Sequence, residues 1–162
     1  MWLPKEERRL LMFYTACDPN FSGHLEAFSR RDLQGLVTER WITTRKIVNR
    51  AGEWTKKKKN HAQLTDQKAD QNSDLVGGYF SRLRATATIE SANNRLQERH
   101  LIEAHEGCTG YYQIKMNLAG WDLGNKYKSL PQTIYLWCTE YPLIPGFLAG
   151  ILGGILVNSL SR

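Results

Sequence analysis

The stretch YFSRLRATATIESANNRLQERHLIEAHEGCTGYYQIKMNLAGWDLGNKYK, residues 79–128, decides the fold class. Ala85, Ile89, Ala92 and Leu96 recur at three- and four-residue steps, which predicts an amphipathic helix with one buried stripe. Beyond it, HLIEAH and YYQIKM are two short strand-like runs around GCTG, whose Gly107 and Gly110 supply turn chemistry. They predict a β-hairpin. NLAGWDLGNKY then reads as a turn and a short helix. The order helix, hairpin, helix makes the chain mainly α with a small β-hairpin.

Working toward the N-terminus, Lys5 to Tyr14 predicts a helix with Pro4 at its start and Glu6 and Glu7 near its positive end. It stops near Asp18-Pro19, and PNFSGH follows as a loop. A second helical stretch carries Leu33, Leu36, Val37, Trp41, Thr44, Ile47, Val48 and Ala51 on its apolar side, with Gly52 as its end. Residues 56–74, KKKKNHAQLTDQKADQNSD, hold too few large apolar side chains to offset the entropy of ordering, which predicts a polar linker or long loop. Asp66, Asp70 and Asp74 are spaced by four, but no EF-hand glycine or closing glutamate accompanies them. The expected organisation is thus a helical segment over 1–55, the linker over 56–74, a unit over 75–130 and a closing segment over 142–160.

The unit over residues 82–128 resembles the winged-helix regulators of the MarR and PadR type. The likeness is carried by Arg95-Leu96-Gln97-Glu98-Arg99-His100-Leu101-Ile102 at the end of the helix, by the two-stranded wing after it, and by Leu118-Ala119-Gly120-Trp121-Asp122-Leu123-Gly124. The resemblance implies a recognition helix before the wing and a partner bound on its outer face. If that partner is DNA, Asn94 suits bidentate readout of adenine, and Arg82, Arg84, Arg95 and Lys115 suit backbone contacts. The outer side presents Arg84, Glu90, Ser91, Asn94 and Glu98, a charge near zero. Phosphate neutralisation supplies most non-specific affinity, so this balance favours a protein partner over DNA.

Net charge is +6, from 22 Lys and Arg against 16 Asp and Glu, and its placement is uneven. Residues 40–59 hold eight basic residues and one acid, with Trp41 and Trp54 interleaved. The basic patch Arg45, Lys46, Arg50, Lys56, Lys57, Lys58 and Lys59 is a candidate polyanion surface, one that could lie against anionic lipid. Cys17, Cys108 and Cys138 are odd in number and widely spaced, which points to reduced thiols and to neither a disulfide framework nor a zinc site. No G-x-S-x-G, H-E-x-x-H, phosphate-loop or dinucleotide pattern is present. No catalytic residue, metal ligand or cofactor is expected.

The C-terminal residues 141–161 carry no charge. A helix over 142–160 would have 19 residues and reach about 28 Å, near the ~30 Å hydrocarbon thickness. Tyr135, Trp137 and Tyr141 precede it where an aromatic belt is expected. Gly146, Gly150 and Gly154 are spaced by four, the pattern by which membrane helices pack, and they predict a homodimer. Lys126 and Lys128 before the segment, against Arg162 after it, put the N-terminal body in the cytoplasm. These readings combine into one expectation: a single-pass, membrane-anchored, non-catalytic protein that presents its winged-helix-like domain to a cytoplasmic protein. The alternative is a membrane-tethered DNA-binding transcriptional regulator.

Overall fold

A computed structural model describes residues 1–61, 77–106, 111–143, 146–147 and 149–151. Its centre is helix α1 (Lys5–Cys17), opened by Pro4 with Glu6 and Glu7 in the first turn. Leu10, Leu11, Met12, Phe13, Tyr14 and Cys17 of α1 are all buried, and so are Glu7, Arg9 and Thr15. A helix buried on nearly every side must be wrapped by others. Those are α2 (Arg30–Thr38), α3 (Thr44–His61), α4 (Gly77–Glu98) and α5 (Leu118–Lys128), each packed directly on α1.

Three strands complete the core: β1 (Glu26–Ser29), β2 (Ile102–Glu106) and β3 (Tyr111–Met116). They form an antiparallel sheet in the order β1-β3-β2, with Phe28 opposite Tyr112 and Ala104 opposite Ile114. The hairpin expected from HLIEAH and YYQIKM is β2 and β3; its turn, residues 107–110 with Cys108, lies outside the described residues. The third strand, β1, was not expected. The PNFSGH loop places it: Phe21 and Gly23 take left-handed backbone angles, and the Asp18 carboxylate accepts the Ser22 N–H at 2.8 Å. The Trp121 indole of α5 donates to the Asp18 carbonyl at 2.9 Å, pinning the loop against the core.

The helical stretch expected over Leu33 to Ala51 is two helices. α2 begins directly after β1 with a reciprocal cap between Ser29 and Asp32. It ends because the Arg9 guanidinium captures the carbonyls of Leu36 at 3.1 Å, Glu39 at 2.7 Å and Arg40 at 3.3 Å, filling acceptors that a continuing helix would use. α3 restarts at Thr44 and runs past Gly52 into the stretch expected as linker. The remaining linker positions, 62–76, lie outside the described residues.

α4 ends as a Schellman motif. His100 has φ 55°, its N–H donates to the Gln97 carbonyl at 2.8 Å, and the Leu101 N–H donates to the Leu96 carbonyl at 3.0 Å. The chain thereby turns straight into β2. The phrase Leu118 to Gly124 becomes α5, and its glycines are contact points. A Cβ on Gly120 would stand 2.0 Å from the Leu101 carbonyl oxygen, and one on Gly124 2.0 Å from Thr15 Oγ1.

The closing segment corrects the expectation of a membrane span. Helix α6 (Leu130–Glu140) stops at Tyr141, whose backbone leaves the helical region at φ −124°, ψ 65°. A residue before proline is driven out of that region, and Pro142 follows. The expected span begins after that break, and within it the described residues 143, 146–147 and 149–151 are helical. Among the described residues no helix is long and apolar enough to cross a membrane. The expected helix over 142–160, the single-pass membrane localisation, the cytoplasmic orientation argued from its flanks, and both membrane-anchored functions are therefore unsupported. Positions 144, 145, 148 and 152–160 of that segment, Gly154 among them, lie outside the described residues. A Cβ at Gly146 or Gly150 meets nothing within 4 Å.

Candidate nucleic-acid interface

Two surfaces hold the residues singled out from sequence. The first is the outer face of α4. Its buried stripe is Ala85, Ile89, Ala92 and Leu96, so Arg84, Ser91, Asn94 and Glu98 face solvent. Arg84 has no hydrogen-bond or ion-pair partner for its side chain among the described residues, and neither has Asn94. Arg95 is differently placed: its Nη1 lies 3.6 Å from the buried Glu7 carboxylate of α1, and Arg99 Nη1 lies 3.9 Å from the same group. Lys115, on β3, is 3.1 Å from Glu103 on β2. The Arg82 side chain lies outside the described residues.

Taken together, α4 offers a polyanion little net charge. Arg95 and Lys115 already face carboxylates, and Glu98 is exposed beside Asn94. Glu90 turns toward the sheet, where its carboxylate accepts the Tyr112 hydroxyl at 3.4 Å.

The second surface is α3. Three members of its basic patch are partnered: Lys46 with Glu39 at 2.8 Å, Arg50 with the same Glu39, and Lys58 with Glu26 across to β1. The two cations on Glu39 hold its carboxyl below the usual carboxylate range. Arg45, Lys56 and Lys57 are exposed and have no carboxylate partner among the described residues; the Lys59 side chain lies outside them. Arg45, Asn49, Gly52 and Lys56 fall at i, i+4, i+7 and i+11, which puts them on one line along the helix. At Gly52 a Cβ would meet open space, so the line is low there. No family model, no curated protein and no solved structure matches the chain.

What this line can do is electrostatic. Two to three cations without a carboxylate partner among the described residues, around an exposed amide on a helix packed against α1, can take phosphate oxygens at successive positions. The sequence placed these residues in a basic run but could not divide it into paired and unpaired members, because Glu26 and Glu39 come from other elements. Among the described residues no group of three or more His, Cys, Asp or Glu could hold a metal ion. Cys17 is buried, and burial pushes its thiol well above the ordinary range, away from the nucleophilic thiolate.

Proposed function

We propose that the chain is a non-catalytic, winged-helix-like module that binds nucleic acid through α3. Support for the winged-helix likeness comes from a three-stranded sheet in the order β1-β3-β2, with α2 packed on α4 and α4 feeding the hairpin. The observation that carries the binding reading is the unpaired line Arg45, Asn49 and Lys56, with Lys57 beside it, in a chain of net charge +6. Contacts of this kind go to the sugar–phosphate backbone and read little sequence. The neutral outer face of α4 makes that helix secondary in binding.

Fluorescence anisotropy with labelled DNA and RNA oligonucleotides, single- and double-stranded, over a salt series tests it. The combined change Arg45→Gln, Lys56→Gln and Lys57→Gln is expected to reduce the slope of log K against log salt by about 2–3, at ~0.7–0.9 per lost phosphate contact. Arg84→Gln with Asn94→Ala is expected to leave the slope within about 1 of wild type. The reverse pattern would move the interface to α4, and no binding to any oligonucleotide at low salt would sink the reading.

A further inference from the structure

A groove of about 840 Å³ runs between α1, the joint of α2 and α3, the end of α5 and the start of α6. Its body is apolar: Met12, Trp41, Ile42, Leu130 and Ile134 line it. Three of these stay uncovered, with Trp41 83%, Leu130 73% and Ile134 51% exposed. Among the described residues, the charged side chains lining the groove are all cationic: Lys5, Arg8, Arg9 and Lys128. Two of them are used by the fold. Arg9 holds the end of α2, and Lys5 Nζ donates to the Arg40 carbonyl at 2.7 Å.

Arg8 and Lys128 are different. Each is partly buried, and neither has a hydrogen-bond acceptor or an ion-pair partner among the described residues. Arg8 lies over the Trp2 ring at 4.0 Å and near the Tyr127 ring at 5.9 Å. The Tyr127 hydroxyl is fixed in turn, accepting the Leu3 N–H at 2.8 Å and donating to the Met1 carbonyl at 2.9 Å. Burial lowers the pKa of both cations, and Glu6, which acts on Arg8, forms no ion pair with it. Desolvated cations without acceptors are costly unless an anion joins them.

We propose that this groove binds a small amphipathic carboxylate, its head held by Arg8 and Lys128 and its apolar body laid on Met12, Trp41, Ile42 and Ile134. Charge complementarity selects the anion, since no acid lines the groove among the described residues. The volume is that of a small-molecule site. The ring faces beside Arg8 are not in-plane hydrogen-bond acceptors, so its N–H donors remain for a ligand, and a guanidinium fork matches the two coplanar oxygens of a carboxylate. An apolar tail covers the side chains left open at the mouth, which a bare inorganic anion does not. The site shares no residue with the α3 line and does not depend on the nucleic-acid reading.

The test is titration of the full chain with dodecanoate below its micelle concentration, by calorimetry and tryptophan fluorescence, without nucleic acid. One saturable site is expected. Lys128→Met, which keeps the stem and removes the charge, weakens binding by about 10-fold or more, as loss of a charge-assisted hydrogen bond does. Trp41→Ala, at a side chain exposed enough to leave the fold intact, also weakens it. Acetate and dodecyltrimethylammonium bind at least about 10-fold more weakly than dodecanoate. Arg45→Gln with Lys56→Gln binds dodecanoate as wild type does, which separates this site from the α3 surface. The proposal is overturned if dodecanoate does not bind, if Lys128→Met and Trp41→Ala both bind as wild type, or if dodecyltrimethylammonium binds equally well. Tighter binding of dodecyl phosphate overturns the carboxylate assignment.

Discussion

The Glu7 carboxylate of α1 lies 3.6 Å from the Arg95 guanidinium of α4 and is itself only 1% exposed. Among the described residues neither of its oxygens has a hydrogen-bond partner, and Arg99 approaches only to 3.9 Å. Burial dominates the two arginines, so the carboxyl is raised above 4.5. The pair ties the central helix to α4, and it removes Arg95 from the cations free to meet a phosphate.

Glu7→Gln follows from that balance. A carboxyl raised in the folded state gives stability that is complete below about pH 4.5 and is lost as pH rises through the folded value. Wild type therefore weakens across that window, and the glutamine variant does not. At pH 7 the variant is expected to gain about 1 kcal/mol, or ~2–4 °C in Tm, since Arg95 and Arg99 remain solvated without their partner. Thermal melts from pH 4 to 7 check this; a variant less stable than wild type at pH 7 would show that the ion pairs outweigh burial.

Gly120→Ala and Gly124→Ala are each expected to cost about 1–3 kcal/mol by overpacking. The neighbour of Gly120 is a backbone carbonyl, and that of Gly124 is Thr15 Oγ1, already bonded to the Leu11 carbonyl at 2.7 Å. Gly146→Ala, facing open space, serves as the control. Urea denaturation of the three variants measures the difference, and equal midpoints would refute the close packing of α5.

Arg9→Met keeps the stem in the core but strips the α2 end of its donors. The expected loss is about 2–3 kcal/mol, because the carbonyls of Leu36 and Glu39 lose charged partners. Hydrogen exchange should show the last turn of α2 and residues 39–43 opening first. Unchanged protection there would mean that the joint is held by something else.

Tyr14→Phe leaves Asn93 Oδ1 without the hydroxyl that reaches it at 2.9 Å in the core, and its Nδ2 already has no partner among the described residues. A loss of about 1–3 kcal/mol is expected. Adding Asn93→Leu removes the orphaned amide and should recover most of it. A double variant no better than the single one would place the cost in packing.

Local pattern carried much of the architecture. Ala85, Ile89, Ala92 and Leu96 form a buried stripe as their spacing requires, and HLIEAH with YYQIKM pair as a hairpin because their partners are adjacent in sequence. The apolar spacing from Leu33 to Ala51 misled for a physical reason: Trp41 belongs to no helix and is exposed, because Arg9 terminates α2 from another element. Hydropathy over 142–160 misled similarly, since composition and length do not fix how far the backbone runs as one helix, and among the described residues no helix is long and apolar enough to cross a membrane. Of the candidate binding residues, the sequence alone determined that basic side chains crowd residues 40–59. Only the tertiary structure decided which of them are neutralised by Glu26 and Glu39, that β1 joins β3, and that Arg8 and Lys128 meet in one groove. Those outcomes rest on pairings between different elements, from 7 positions apart for Glu39 and Lys46 to 120 for Arg8 and Lys128, and the cost or gain of a charge depends on what lies beside it in space.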